Sequence, residues 1–90
     1  MNARKLSDLQ PEFDDVKHGD SFCRALTFEC PACSDHAIIV PFSGVSLFPS
    51  GAMWTLVGAE DIATATLTPS IHVRGGCGFH GYVTNGEVRW

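Results

Sequence analysis

The sequence predicts a mostly β protein, and three observations support this fold class. Short runs that alternate apolar and polar residues are separated by Gly, Pro and Ser, which is typical of strands joined by turns. No window longer than about ten residues repeats its apolar side chains with the period of a helix. Asn85-Gly86 lies between two such runs, and this dipeptide favours a tight hairpin because a type I′ turn needs positive φ at both central residues.

The N-terminal residues differ from the rest of the chain. They are its most polar part, and Pro11 with the acidic residues that follow it predicts an extended arm with one short helical turn. The β-type runs begin after this segment. We therefore expect two units, a polar N-terminal arm over residues 1–20 and a β domain over residues 21–90.

Within the β domain, turn residues bound each run. Residues 42–52 contain too many Gly, Ser and Pro for a regular element, so we expect a loop there. The last two runs flank Asn85-Gly86 and form a C-terminal hairpin in a small antiparallel sheet. The predicted strands are 24–29, 36–42, 53–57, 62–68, 70–73, 81–84 and 87–90.

The chain is short for an unaided core. A protein of 90 residues hides only about 60–65% of the surface that its unfolded form exposes. Small domains of this kind are often stabilised by disulfides or by a metal ion. The chain has four Cys and four His, which supply ligands for either.

Charge and hydropathy argue against several classes. The formal net charge is −4, whereas a nucleic-acid binder is expected to present a basic face. No apolar run approaches the roughly 18 residues that cross a bilayer, and the N-terminus lacks the apolar stretch of a secretory signal. The sequence therefore predicts a cytoplasmic protein without membrane contact, in which reduced thiols bind metal more often than they form disulfides.

Two pairs of metal-ligand residues are expected at strand ends. Cys30 and Cys33 have two residues between them, and so do Cys77 and His80. That spacing fits a tight turn whose two side chains converge on one tetrahedral ion. Two such knuckles between strands form the zinc-ribbon plan, so we predict one structural zinc ion with a closed Cys₃His ligand set. Residues 21–90 are thus expected to be a zinc-binding, zinc-ribbon-like domain.

Other interpretations of these residues stay open. Cys30 and Cys33 are also spaced as a redox dithiol, although no helix start follows a strand here. Two disulfides would need Cys23, which we expect to be a small buried apolar residue, and inert thiols are another alternative. His36 is either an edge-strand residue, a replacement ligand or a hydrogen-bond donor to a ligand.

No catalytic arrangement is predicted. No Ser/His/acid set and no pair of carboxylates can be argued at a fixed spacing. Residues 68–70, Thr-Pro-Ser, are interpreted as a turn, and His72 as a partly exposed strand residue. Trp54 and Trp90 are interpreted as aromatic residues of the core or its edge.

Several segments together resemble a known family. They are FECPAC with a following His and Pro-Phe, MWTL, TLTPSI, and the ending CGFHGYVTNGEVRW. This pattern resembles small proteins of bacteria and their phages that are known only as a domain of unknown function and are often labelled ammonia monooxygenase. The resemblance covers residues 20–90, although many members have a tighter cysteine cluster. It implies metal binding and a phage or mobile-element setting, without an established reaction.

The second knuckle also resembles half of a Rieske iron–sulfur site, in which a Cys-x-x-His-Gly loop supplies two ligands. The other half should then be Cys-x-His, so that two Cys hold one iron and two His hold the other. This chain has Cys30-Pro-Ala-Cys33 instead. The ligand set would contain two Cys and two His only if His36 replaced Cys33 as a ligand.

These observations lead to one expected function and two alternatives. We expect a non-enzymatic cytoplasmic protein of phage or bacterial origin that acts by contact with another protein. Its structural zinc ion would be held by Cys30, Cys33, Cys77 and His80. The first alternative is a Rieske-like [2Fe–2S] redox protein, and the second is a zinc-ribbon nucleic-acid binder.

Overall fold

The computed structural model describes residues 2–46, 48, 51–73 and 77–90. Within them the regular elements are one short 3₁₀ helix, Leu6–Asp8, and eight strands. The strands are β1 Ala3–Lys5, β2 Glu12–His18, β3 Ser21–Glu29, β4 Ala37–Gly44, β5 Thr55–Val57, β6 Thr66–His72, β7 His80–Thr84 and β8 Glu87–Arg89. The described residues contain no helix with the length and apolar character needed to span a bilayer. The predicted mostly β class is confirmed.

All strand pairs are antiparallel, and they form two sheets. The larger sheet has the strand order β1-β8-β7-β6-β5, and the smaller has the order β2-β3-β4. Strands β7 and β8 form the predicted C-terminal hairpin. Its turn residues Asn85 and Gly86 have φ of 49° and 76°, the positive values that a type I′ turn requires.

One buried core joins the two sheets. The smaller sheet contributes Leu26, Phe28, Ile38 and Val40, and the larger contributes Leu67, Ile71, Val83 and Val88. Burial of each large apolar side chain stabilises the fold by about 1.5–3 kcal/mol. The sheets are therefore held face to face by side chains that alternate inward along their strands.

The N-terminal residues take part in this fold. Strand β1 pairs with β8, and β2 pairs with β3. Leu6 and Leu9 are buried in the core, and the Phe13 ring packs edge-on against Phe42 at 6.1 Å between centroids. The polar residues that predict an arm lie largely on edge strands, which keep one face in solvent and carry charges there.

Two predicted strand boundaries differ from the structure. The segments 62–68 and 70–73 contribute to one strand, β6, because Pro69 lies in an irregular part of the pairing where a backbone N–H is not needed. Strand β4 continues to Gly44, into the predicted loop. Residues 47, 49 and 50 of that loop lie outside the described residues.

A surface ion pair also connects the sheets. Arg24 on β3 donates to Glu60 in the β5–β6 connection at 2.6 Å, and to Asp15 on β2 at 3.3 Å. The hydrogen bond from Arg24 lowers the pKa of the Glu60 carboxyl below its ordinary value. The same bond raises the pKa of Arg24 above its ordinary value.

Candidate functional site

Three cysteines and one histidine from the two sheets converge. Cys30, Cys33 and His36 lie in the connection between β3 and β4, and Cys77 lies in the connection between β6 and β7. Their ligand atoms are all within 4.8 Å of one another. We call these four residues the Cys₃His cluster, and its donor set is one that can hold a metal ion.

The β3–β4 connection folds so that its three ligands face one point. The Cys30 N–H donates to the His36 carbonyl, and the Ser34 N–H donates to the Cys30 carbonyl, both at 2.9 Å. Cys30 is fully buried, Cys33 is half-buried and Cys77 is exposed. The cluster therefore lies where the core meets the surface.

The distances within the Cys₃His cluster fit tetrahedral coordination. Cys30 Sγ lies 3.6 Å from Cys77 Sγ, and Cys33 Sγ lies 3.3 Å from His36 Nδ1. Zinc bonds of about 2.3 Å to sulfur and about 2.05 Å to nitrogen place two sulfurs about 3.8 Å apart, and a sulfur and a nitrogen about 3.5 Å apart. A disulfide would need about 2.05 Å between sulfurs, so these cysteines are free thiols.

The His36 ring adds a second observation. Its Nε2 is buried and has no hydrogen-bond partner among the described residues. A buried polar atom without a partner is unusual, and an ion or a water is a common reason for one. The site therefore fits a bound metal ion.

The structure brings three of the four predicted metal ligands together and places the fourth elsewhere. Cys30, Cys33 and Cys77 are in the cluster with His36, whereas His80 begins strand β7. The Val73 N–H donates to the Phe79 carbonyl at 2.7 Å, so strand-like pairing already begins at residue 79. Alternation along β7 then directs His80 to the exposed face of the sheet.

On that exposed face His80 contacts a serine. Its Nε2 lies 3.1 Å from the hydroxyl oxygen of Ser70 on β6. When the ring proton is on Nδ1, the Ser70 hydroxyl donates to Nε2. A serine hydroxyl bonded to an imidazole is the arrangement of a nucleophile and its general base.

An irregularity in β6 positions Ser70. Leu67 pairs with Val83 and Ile71 pairs with Gly81, so four steps along β6 match two steps along β7. Such bulges redirect side chains and are frequent next to active sites. The Trp54 indole N–H donates to the Ser70 carbonyl at 3.2 Å, which anchors the backbone of this segment.

The surroundings of the His80 ring are aromatic. The His72 ring stacks on it at 4.8 Å between centroids, with 26° between planes, and the Tyr82 ring lies 6.4 Å away at the same angle. Stacking does not direct a nitrogen of His72 at the edge of the His80 ring. In the described part of the chain, no carboxylate bonds to His80, so Ser70 and His80 form a pair without an acidic third member.

The sequence motifs do not predict this pair. They place Ser70 in a turn, His72 at a partly exposed strand position and His80 in a metal site. One sequence signal for the pair was present. The predicted strands 70–73 and 81–84 are consecutive, and antiparallel pairing would place Ser70 and His72 near His80, which directly precedes the second strand. The spacing of Cys77 and His80 is typical of metal ligands and therefore favoured the interpretation of His80 as a ligand.

Comparison with known proteins gives one result. The family model described as "Bacterial ubiquitination-like system serine protease (BubE)" matches residues 4–90. No curated protein and no solved structure matches the chain.

This match corrects several expectations. The assignment to a domain of unknown function is wrong, and the phage and zinc-ribbon classes are not supported. The non-enzymatic role is also wrong, because the family is described as a serine protease. The match supports neither the Rieske-like redox protein nor the nucleic-acid binder. In the structure His80, expected as half of a metal knuckle, contacts Ser70.

Proposed function

Because the chain belongs to the BubE family, we propose that it is a serine protease of a bacterial ubiquitination-like system, with Ser70 as nucleophile and His80 as general base. The carrying observation is the 3.1 Å contact between Ser70 Oγ and His80 Nε2. A general base must lie within about 2.6–3.2 Å of the group whose proton it takes. Among the hydrogen bonds of the described residues, no other serine hydroxyl contacts a histidine.

The reaction follows from this contact. His80 Nε2 takes the hydroxyl proton as Ser70 Oγ attacks the carbonyl carbon of the substrate. The bond to the leaving group then breaks, and His80 gives that group the proton, which leaves an acyl-Ser70 ester. Water then hydrolyses the ester. His80 takes a proton from the water as it attacks the carbonyl carbon, and His80 gives a proton to Ser70 Oγ as the ester bond breaks.

Stacking takes the place of an acidic orienting group. In triads an acid fixes the tautomer and the orientation of the histidine. Here the His72 and Tyr82 rings lie beside the His80 ring, and the plane of each is within 26° of the His80 plane. These contacts restrict rotation of the ring and keep Nε2 directed at Ser70.

We further propose that the Cys₃His cluster binds one zinc ion. Four protein ligands leave no open coordination position, which is typical of a structural site. The ion would tie Cys77, and with it the segment before His80, to the β3–β4 connection of the other sheet. Its role is therefore to position the base rather than to take part in the reaction. Because reduced cysteines of this kind are suited to the bacterial cytoplasm, we propose that location for the protein. The partner that we propose is the protein substrate.

A fluorophosphonate probe tests the proposed nucleophile, because it reacts with activated serines and needs no knowledge of the substrate. We expect one adduct on the wild-type protein, located on Ser70 by peptide mass spectrometry, and none on Ser70→Ala. Ser43→Ala is the matched control, since Ser43 is exposed on β4 and bonds to no histidine. Equal labelling of wild type and Ser70→Ala would exclude Ser70 as the nucleophile.

A further inference from the structure

His72 and His80 lie directly opposite each other on neighbouring strands. His72 ends β6, His80 begins β7, and the two residues are partners in the antiparallel pairing. The Val73 N–H donates to the Phe79 carbonyl, so the adjoining pair of His72 and His80 is of the type that exchanges no backbone hydrogen bonds. Pairs of this type have the shorter Cα–Cα distance, about 4.5 Å, and the closer side chains. The backbone therefore holds two imidazole rings side by side.

Both imidazole rings are accessible from solvent. The two side chains lie on the exposed face of the sheet, and their ring centroids are 4.8 Å apart with 26° between planes. His80 Nε2 contacts the Ser70 hydroxyl, whereas among the described residues no hydrogen bond involves a ring nitrogen of His72. The pair thus offers imidazole nitrogens beside the proposed base that are not committed to another side chain.

The chemistry of two imidazoles selects a class of ligand. Histidine is the commonest metal ligand in proteins, and its nitrogen suits zinc, copper and nickel, whereas magnesium and calcium prefer oxygen. Zinc–nitrogen bonds of about 2.05 Å at a tetrahedral angle place two nitrogens about 3.3 Å apart. The centroids of the His72 and His80 rings are separated by only about 1.5 Å more than this. Rotation of the exposed His72 side chain supplies that approach.

A metal ion on His80 removes the proposed base. A neutral imidazole has one nitrogen with a free lone pair, and its other nitrogen carries the proton. The metal uses this lone pair whichever nitrogen of His80 it binds, so the ring has none left to accept the Ser70 proton. In the Cys₃His cluster, by contrast, an ion leaves both reacting groups free.

We propose that His72 and His80 form a second metal site, for a divalent transition-metal ion of the zinc and copper class, and that an ion bound there inhibits the protease reversibly. The metal site follows from the two histidines alone. The inhibition rests on the proposed function, because it takes His80 as the base that acts on Ser70.

The second site is weaker than the Cys₃His cluster. Two protein ligands leave two positions of a tetrahedral ion to water, whereas four protein ligands close the site. With equal contributions from each ligand, two ligands supply about half the binding free energy of a structural zinc site, which corresponds to a Kd of about 1–200 µM. The first equivalent of zinc therefore fills the cluster, and only an excess reaches His72 and His80.

Nitrogen NMR of the histidine rings tests the site without reference to activity. The whole chain is loaded with one equivalent of zinc and then titrated with zinc chloride. We expect the ring signals of His72 and His80 to change together, with half of the change at about 1–200 µM free zinc, and the signals of His36 in the cluster to stay as they are. Magnesium chloride at the same concentrations should change none of them, because magnesium prefers oxygen ligands.

Fluorophosphonate labelling of Ser70 over the same titration tests the inhibition. Each protein is compared with its own labelling rate before excess zinc is added, so differences in the starting rate cancel. Wild type should lose about 10²-fold or more of its labelling at saturating zinc, the usual contribution of a general base, and recover when gel filtration removes the excess. His72→Phe keeps a ring but loses a metal ligand, so its half-inhibiting zinc concentration should rise about tenfold or more.

Thr84→Ala is the matched control, because Thr84 is exposed on β7 but lies outside the histidine pair. Its zinc sensitivity should equal that of wild type. Ring signals of His72 and His80 that stay unchanged up to about 1 mM zinc, equal zinc sensitivity of wild type and His72→Phe, or a loss of sensitivity in Thr84→Ala as large as in His72→Phe would each overturn the inference. Failure of wild type to label at Ser70 even without excess zinc would instead refute the proposed nucleophile, and the NMR titration would then decide the metal site by itself.

Discussion

Cys77 and His80 are three residues apart, yet their side chains belong to different sites. Cys77 Sγ lies 3.6 Å from Cys30 Sγ, whereas His80 Nε2 lies 3.1 Å from Ser70 Oγ. The segment that carries the proposed base is thus held by the other sheet on one side and by the nucleophile on the other. Any change at the Cys₃His cluster is expected to reach the proposed catalytic pair through this segment.

Removal of the proposed metal should therefore affect both stability and reactivity. A structural zinc ion contributes about 10–16 kcal/mol of binding free energy to folding, which is comparable with the whole stability of a domain, about 5–15 kcal/mol. We expect chelation to lower Tm strongly and to reduce fluorophosphonate labelling of Ser70 at least tenfold, with recovery when zinc is returned. Cys77→Ser should behave like the chelated protein, and Cys23→Ala, outside the cluster, should not. An unchanged Tm after demonstrated loss of metal would contradict this.

The two histidines near the ends of the cluster loops should separate metal binding from catalysis. His36→Ala removes a cluster nitrogen, so elemental analysis should give less than one zinc ion per chain. His80→Ala should keep the full zinc content but lose labelling by about 10²–10⁴-fold, the usual contribution of a general base. The opposite pattern, with zinc lost in His80→Ala and retained in His36→Ala, would restore the ligand set that the sequence predicts.

The sequence predicted the fold class better than the site, and particular residues show why. Strand alternation and Asn85-Gly86 are local signals, so the hairpin of β7 and β8 could be predicted from neighbouring residues alone. Cys30 and Cys33 are also close in sequence, so a local turn brings their side chains together and their spacing predicts this. Leu6 and Leu9 could not be placed, because their burial depends on pairing with the C-terminal strand and on contact between sheets.

The proposed catalytic pair depends on the pairing of two strands, which neighbouring residues in the sequence do not determine. Ser70 and His80 meet across the pairing of β6 and β7, which is irregular between Leu67 and Ile71. The choice between His36 and His80 as the fourth cluster residue depends on where β7 begins. Spacing alone could not decide it, since both histidines lie three residues from a cysteine.

His72 should act on the orientation of His80 and not on proton transfer. Its ring stacks on His80 at 4.8 Å without an edge-on nitrogen contact. His72→Phe keeps an aromatic ring and should label at a rate within about threefold of wild type, whereas His72→Ala should lose less than the 10²-fold or more expected for removal of a general base. A loss in His72→Phe as large as in His80→Ala would instead make the His72 nitrogen essential.

Gly81 should be intolerant of a side chain. A Cβ at this position would overlap the Arg89 carbonyl and lie 2.8 Å from the tip of the buried Phe79 ring. Gly81→Ala is therefore expected to destabilise the protein by about 1–3 kcal/mol, the usual cost of overpacking, and to reduce Ser70 labelling because His80 is the next residue. Thr84→Ala, at an exposed position of the same strand, is the control for denaturant unfolding. Equal stability of the two variants would show that β7 can shift without cost.

The ion pair of Glu60 and Arg24 makes a pH-dependent contribution to stability. The hydrogen bond from Arg24 lowers the pKa of Glu60 in the folded protein, so the stabilisation is present above the unfolded pKa of about 4.3. It is lost as the pH falls through the lower folded pKa. Glu60→Gln should have a Tm a few degrees below wild type near neutral pH, and this gap should close in acid.

The gap should also narrow at high salt, because the pair is exposed and screened by ions. Glu12→Gln, at an exposed position of β2, is the matched control and should follow wild type at every pH. A gap between Glu60→Gln and wild type that stays constant from neutral to strongly acidic pH would mean that packing, and not the charge of Glu60, connects the β5–β6 segment to the smaller sheet.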